Sequence, residues 1–211
     1  MKGLVQLGEI EDEGRAVLII RHGNTRLNSG NKIRAWSDVP LDDLGIEQAH
    51  DLGEAMLGEG VELDGIFSSD LQRSIQTSFI VSKVTGIPIL GVTKDLRPLD
   101  VGNLTGTDGE KAHKIIAHHA EHDPDAKIGE TGESFNVFRH RFIGGFISRL
   151  NSHRGLKLGF TSHSRGERIL FGWVAAGCPD DLSIDLPTFL EPGEPPATAQ
   201  LLFINSNLVL Q

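Results

Sequence analysis

The sequence predicts an α/β protein built on a mostly parallel sheet with helices on both faces. Two observations carry this: short apolar, β-branched runs alternate with longer segments of helical periodicity, and most runs end in a polar stretch that leads into the next helix. Neither an internal repeat nor a change of composition marks a second fold. The chain is therefore expected to form one domain over 15–211, preceded by an extension at 1–14.

With 38% hydrophobic and 23% charged residues, the 211-residue chain has the composition of a globular protein that buries its core without staples. Cys178 is the only cysteine, so no intrachain disulfide forms and a cysteine-rich metal site is excluded. The acidic residues 1–14 indicate neither a signal nor a transit peptide, and no apolar run reaches the ~20 residues of a membrane span. The net charge of -9, without any Lys/Arg cluster, argues against a nucleic-acid surface but not against a small anion held by a few arginines in a cleft.

The first strand is read at 16–20, stopping at Arg21-His22-Gly23. Pro40-Leu41-Asp42-Asp43 then precedes a helix whose inner face carries Ile46, Ala49, Leu52, Met56 and Leu57, ended by Gly58 and Gly60. A second strand at 63–67 leads to Asp70, the expected N-cap of a helix over 71–85 with Arg73 in its first turn. An edge strand is read at 86–90 because it contains Pro88. From about 91 to 132 the alternation lapses into a cap-like excursion with one helical piece near 110–121, which we expect to cover the site. Ser134 caps a long helix whose buried stripe is Phe135, Phe138, Phe142, Phe146 and Leu150. A further strand at 156–160 ends at Ser162-His163-Ser164, a helix follows over 165–176, 182–198 reads as a surface loop, and 199–205 is the last strand.

Open α/β sheets gather their ligands at the carboxyl ends of the strands. Three such ends bring Arg21 with His22, Arg73, and His163 to one edge. Paired guanidiniums match phosphate oxygens bidentately and stay charged, so a phosphoryl group is the natural guest. One neutral imidazole can attack phosphorus, and a second, protonated, can stabilise charge on the equatorial oxygens.

These residues resemble the histidine phosphatase superfamily, also called the phosphoglycerate-mutase-like family. The resemblance rests on Arg21-His22-Gly23 with Asn28, Trp36-Ser37-Asp38-Val39-Pro40-Leu41, Ser68-Ser69-Asp70 with Arg73, Gly132-Glu133-Ser134 and Ser162-His163-Ser164, and covers about 17–205. It implies a three-layer α/β/α sandwich and no metal or cofactor. His22 is implied as the nucleophile, with Arg21, Asn28, Arg73 and His163 around the phosphate.

One position departs from the family. Where the mutase-like branch has a proton-donating glutamate, this chain has Pro98, within Leu96-Arg97-Pro98-Leu99-Asp100-Val101-Gly102. If that segment is extended, Asp100 shares a face with position 98, and it is nominated as general acid; the alternative is a turn aspartate beside Gly102. Ser164 follows the second histidine, so the acid-phosphatase branch's aspartate is absent as well.

Weaker candidates are His118 and His122, at a spacing that can bind zinc or simply face solvent, and Arg26, Lys32 and Arg34, which either meet a second anionic group or decorate a loop. Arg165 and Arg168 open the helix after His163, and Glu133 is a candidate to orient a pocket arginine. The expected activity is phosphomonoester hydrolysis through phosphohistidine on a small phosphorylated metabolite or nucleotide. The alternatives are a phosphoglycerate mutase and a phospho-ligand-binding protein. Nucleic acid and membrane are excluded as partners, a homodimer is left open, and the expected compartment is the cytoplasm.

Overall fold

Apolar side chains on both faces of the first run make it a central strand. The computed structural model describes residues 14–28, 30–191 and 193–205. Strand β1 (Gly14–Arg21) is followed by α1 (Asp43–Gly58), β2 (Gly65–Ser69), α2 (Gln72–Thr85) and β3 (Ile89–Thr93). Then come α3 (Gly109–His122), α4 (Phe135–Ser152), β4 (Leu158–Ser162), α5 (Ser164–Ala175), α6 (Leu186–Leu190) and β5 (Ala199–Asn205). The sheet order is β3-β2-β4-β1-β5, parallel except for β5, which runs antiparallel to β1. Of the extension expected at 1–14, only Gly14, which opens β1, lies within the described residues.

The two faces of β1 separate the core into two layers. Val17 and Ile19 pack with Phe138, Phe142 and Phe146 of α4 and with Ile169 and Trp173 of α5. Leu18 and Ile20 pack with Leu52 and Met56 of α1 and Val81 of α2. This is the three-layer α/β/α sandwich expected, and the phenylalanine stripe is buried throughout. Among the described residues no helix is long and apolar enough to cross a membrane.

Several boundaries differ from the sequence reading. Strands β2 and β4 each run two residues further than expected, through Ser68-Ser69 and Thr161-Ser162, all buried. The two serine hydroxyls find acceptors, Ser68 Oγ donating to the Ser69 carbonyl at 2.8 Å and Ser162 Oγ to the Leu96 carbonyl at 3.1 Å, while Thr161 Oγ1 has no partner among the described residues. Strand β3 is the edge strand expected, but it starts only after Pro88, which has no N–H for the ladder.

The inner face of α1 is Gly45, Ala49, Leu52, Gly53 and Met56, whereas Ile46 and Leu57 are exposed. A Cβ on Gly53 would lie 2.8 Å from Val84 Cβ, so α1 seats its glycines together with Leu52 and Met56 against its neighbours. Asp70 does not cap α2; Leu71 occupies that position, and the Asp70 carboxylate instead takes both Arg97 Nε and Nη2, at 2.6 and 2.7 Å. Within the expected loop at 182–198, Asp185 caps the short α6, which buries Phe189. Five residues are too few for helical periodicity to register.

Candidate active site

The site forms where β1, β4 and β2 stop side by side. Arg21 and Ser162 are register partners on adjacent parallel strands, and the His22 N–H donates to the Ser162 carbonyl at 3.2 Å, so His22 and His163 leave the sheet together. Their rings meet edge to face with centroids 5.0 Å apart, and both are almost completely buried. Arg73 arrives from the first turn of α2, equally buried.

Hydrogen bonds assign the two imidazoles opposite tautomers. His22 Nδ1 lies 2.7 Å from the Gly23 carbonyl, which only accepts, so Nδ1 carries the proton and Nε2 keeps its lone pair. Arg73 Nε donates to His163 Nδ1 at 3.3 Å, leaving the His163 proton on Nε2, which donates to Ser69 Oγ at 3.0 Å. Burial first, then the Arg73 charge, holds both imidazoles well below the ordinary histidine pKa, with Arg34 and Arg21 adding to the effect. The protonated second histidine expected from sequence is thus a neutral donor here; the dianionic charge of a phosphoryl group is what would raise its pKa.

Arg73 is fixed as well as charged. It donates Nη1–H to the Ser37 carbonyl at 2.7 Å and Nη2–H to the Ala35 carbonyl at 2.9 Å. The segment supplying those carbonyls is itself pinned to α2, where Asp38 Oδ1 accepts from the Gln72 N–H at 2.7 Å and the Leu41 N–H donates to Gln76 Oε1 at 2.7 Å. Asn28 Oδ1 is committed to Thr25, accepting from its N–H at 3.0 Å and its hydroxyl at 2.7 Å, so what Asn28 offers the cavity is its amide NH2.

These residues line a cavity of about 440 Å³. Arg21, His22, Asn28, Arg73 and His163 are brought together in its wall as expected, joined by Lys32, Arg34, Arg165 and Arg168; Arg26 is exposed and does not line it. Desolvation and mutual repulsion push Arg34 down to about 10 and both Arg73 and Arg165 to about 9.

Asp100 is not brought to the site. Pro98 and Leu99 line the cavity, but beyond them the chain leaves the extended conformation, with Val101 at φ -105°, ψ 13° and Gly102 at φ 52°. Asp100 is absent from the lining, and its Oδ1 accepts from the Gly102 N–H at 3.0 Å as a turn aspartate. Nor does Glu133 orient a pocket arginine. Its Oε1 accepts from the Asp100 N–H at 2.9 Å and from Arg141 at 2.6 Å, and Arg141 spreads its other donors over the carbonyls of Lys94, Asp95, Arg97 and Pro98. Together they clamp the cavity wall from behind. His118 and His122 stack at 4.7 Å on the exposed face of α3, as the solvated reading had it.

Two residues were missed. His113 enters the lining because α3 lies over the cleft, an orientation that helical periodicity does not encode. Glu167, one turn after His163, is buried near Arg21 with Oε2 unpartnered, and burial pushes its carboxyl up to about 7. Its i+4 spacing from His163 was the available signal.

Residues 17–184 match the family model of the histidine phosphatase superfamily (branch 1). A broad-specificity phosphatase of Saccharomyces cerevisiae is 30% identical over 164 residues, covering 75% of this chain and 69% of the yeast protein. A phosphoglycerate mutase-like protein of Arabidopsis thaliana is 27% identical over 159 residues, covering 74% and 69%. Among solved structures, the alpha-ribazole phosphatase of Shigella flexneri superposes with a TM-score of 0.69 over 88% of this chain and 89% of its own, at 21% identity, a likeness of fold.

Proposed function

The chain belongs to the histidine phosphatase superfamily (branch 1), and we propose that it is a phosphohydrolase that uses His22 as nucleophile on small phosphorylated substrates. The observation that carries this reading is the His22 tautomer. Its Nδ1–H is held by the Gly23 carbonyl, so the Nε2 lone pair is available to phosphorus without prior deprotonation.

In the first step Nε2 bonds to phosphorus and the bond to the leaving oxygen breaks, its electron pair going with that oxygen. Arg21, Arg73 and the Asn28 amide surround the transferring oxygens as donors already in place, and His163, whose Nε2–H is given to Ser69 in the free protein, joins them on taking the second proton that the phosphoryl charge favours. In the second step a water oxygen bonds to phosphorus, the P–N electron pair returns to Nε2, and both water protons end on orthophosphate. The name of the yeast relative, a phosphatase, agrees with hydrolysis. A mutase returns the phosphoryl group to a second hydroxyl of an organic acid, and the proton donor that such an exchange between alcohols calls for is replaced by Pro98.

The test is turnover of p-nitrophenyl phosphate together with acid-quench trapping of the labelled protein. Wild type is expected to release orthophosphate and to carry an acid-labile, alkali-stable phosphoryl group, with His22→Ala losing both. Tight phosphate binding without turnover would replace this reading by a binding protein, and faster exchange between phosphoglycerate isomers than hydrolysis would replace it by a mutase.

A further inference from the structure

Three arginines outside the cavity are paired with a carboxylate: Arg97 with Asp70, Arg141 with Glu133 and Arg149 with Asp95, each at 2.6 Å. The five that line the cavity, Arg21, Arg34, Arg73, Arg165 and Arg168, have no carboxylate within 4.0 Å among the described residues. Buried or half-buried unpaired cations are costly unless an anion completes them. Glu167 and Glu194 act on Arg21, Glu167 on Arg168 and Asp38 on Arg73 from beyond that distance, but none of them lines the cavity, so a guest with more than the about two negative charges of a phosphomonoester matches this wall better.

The leaving side of the cavity points the same way. No Asp or Glu stands among the described residues that line it, Pro98 occupies the wall, and Asp100 is bound to Gly102. His113, an exposed side chain, is held below its ordinary pKa by desolvation and by Arg165 and Arg168, which disfavours an imidazolium there in the ligand-free protein. An alcohol oxygen, with a conjugate-acid pKa near that of water at ~16, does not leave unprotonated at a useful rate. A phosphate oxygen, whose pKa is about 6, does. Arg165 and Arg168 both act on His113 and both stand over the Phe189 ring, at 5.7 and 5.9 Å, and Arg168 also acts on Arg21. Their guanidiniums therefore add two cations to the wall that already holds Arg21 and Arg73.

We propose that the substrate is a phosphoanhydride, with His22 taking its terminal phosphoryl group and Arg165 and Arg168 holding the phosphoryl group that leaves. The proposal rests on the phosphohydrolase reading above and specifies its substrate class. Nε2 bonds to the terminal phosphorus, the bridging P–O bond breaks, and its electron pair stays on the departing phosphate, which leaves as an anion and takes no proton. Arginine charge does there what a carboxylic acid does for an alcohol.

The experiment compares kcat/KM for four probes: inorganic tripolyphosphate, adenosine diphosphate, glycerol phosphate and p-nitrophenyl phosphate. At least one anhydride is expected to exceed glycerol phosphate by 100-fold or more, and the better of the two tells whether the anhydride comes from an inorganic chain or a nucleotide. In Arg168→Gln the ratio of anhydride to p-nitrophenyl phosphate turnover falls at least tenfold, and Arg168→Lys restores part of it. As a readout independent of turnover, tripolyphosphate raises the melting temperature of His22→Ala more than equimolar orthophosphate does, and the excess shrinks in the His22→Ala, Arg168→Gln double variant. Glycerol phosphate turned over as fast as both anhydrides, or an unchanged ratio in Arg168→Gln, overturns the proposal while leaving the phosphohydrolase reading intact. Failure on all four probes overturns both.

Discussion

Gly23 and Gly45 are pressed backbone to backbone: a Cβ on Gly23 would lie 2.4 Å from the Gly45 carbonyl oxygen, and a Cβ on Gly45 2.1 Å from the Asn24 carbonyl oxygen. The start of α1 thus seats directly against the residue after His22. Asp42 reinforces the contact, accepting from the Gly45 N–H at 2.9 Å and from Asn24 Nδ2 at 2.7 Å.

Since neither neighbour is a side chain that can swing away, Gly23→Ala must displace α1 or the His22 backbone. The expected cost is roughly 2–3 kcal/mol of stability, with kcat reduced on the order of 100-fold by misplacement of the imidazole. Gly58→Ala, at the far end of the same helix with nothing within 4 Å, serves as the control and should gain up to about 1 kcal/mol. Urea unfolding and turnover of both variants check this, and wild-type activity in Gly23→Ala would show that the contact is dispensable.

The two imidazoles should differ in tautomer and agree in charge. Long-range proton–nitrogen correlation spectra at pH 6 are expected to show His22 with its proton on Nδ1 and His163 with its proton on Nε2. Both folded pKa values are depressed, so below the unfolded value of 6.5 the unfolded chain binds the extra protons. Stability is therefore lost as pH falls below 6.5, by up to about 1.4 kcal/mol per pH unit for each histidine. An imidazolium signature for either ring at pH 6 in the ligand-free protein would contradict this assignment.

Much of the site could be read from the chain because its residues stand at punctuation. His22 and His163 follow apolar strands where the polar residues begin, and Arg73 lies in the first turn of a helix, so local pattern alone sends all three to one sheet edge. What could not be read depends on chain path. Arg34 and Arg26 sit in the same charged loop, yet only Arg34 turns inward. Asp100 was assigned by extending strand alternation into a segment that turns at Gly102. The last residues of β2 and β4 read as loop because serine and threonine are polar, although Ser68 and Ser162 find buried acceptors. Helix α6, which brings Leu190 to the cavity, is too short to leave a periodic trace.

Glu167 gives a pH dependence of the opposite sign. Its folded pKa of about 7 lies above the unfolded 4.5, so the folded chain holds the extra proton in that window. Its contribution is fully present below pH 4.5 and lost as pH rises through 7, a difference of about 3 kcal/mol. Glu167→Gln keeps the shape without the charge, and should exceed wild type in stability by about that amount at pH 8 but by little at pH 4.5. Equal stability differences at the two pH values in urea unfolding would rule the linkage out.

Pro98 offers the reverse experiment, supplying the proton that the cavity lacks. Its carbonyl is held by Trp36 Nε1 at 2.8 Å and by Arg141 at 3.2 Å, so the backbone is anchored independently of the pyrrolidine ring. Pro98→Glu would place a carboxyl in the cavity lining. A positioned general acid contributes roughly 100-fold or more when the leaving group is an alcohol, and nothing when it is already a stable anion. Turnover of glycerol phosphate should therefore rise while that of tripolyphosphate does not. The surrounding arginines lower the pKa of the introduced carboxyl below the ordinary ~4.3, so its protonated fraction grows as pH falls. The gain is accordingly largest near pH 4.5 and fades toward pH 8. If Pro98→Glu retains p-nitrophenyl phosphate turnover yet shows no gain on glycerol phosphate at any pH in that range, the missing proton is not what limits the enzyme on alcohol leaving groups.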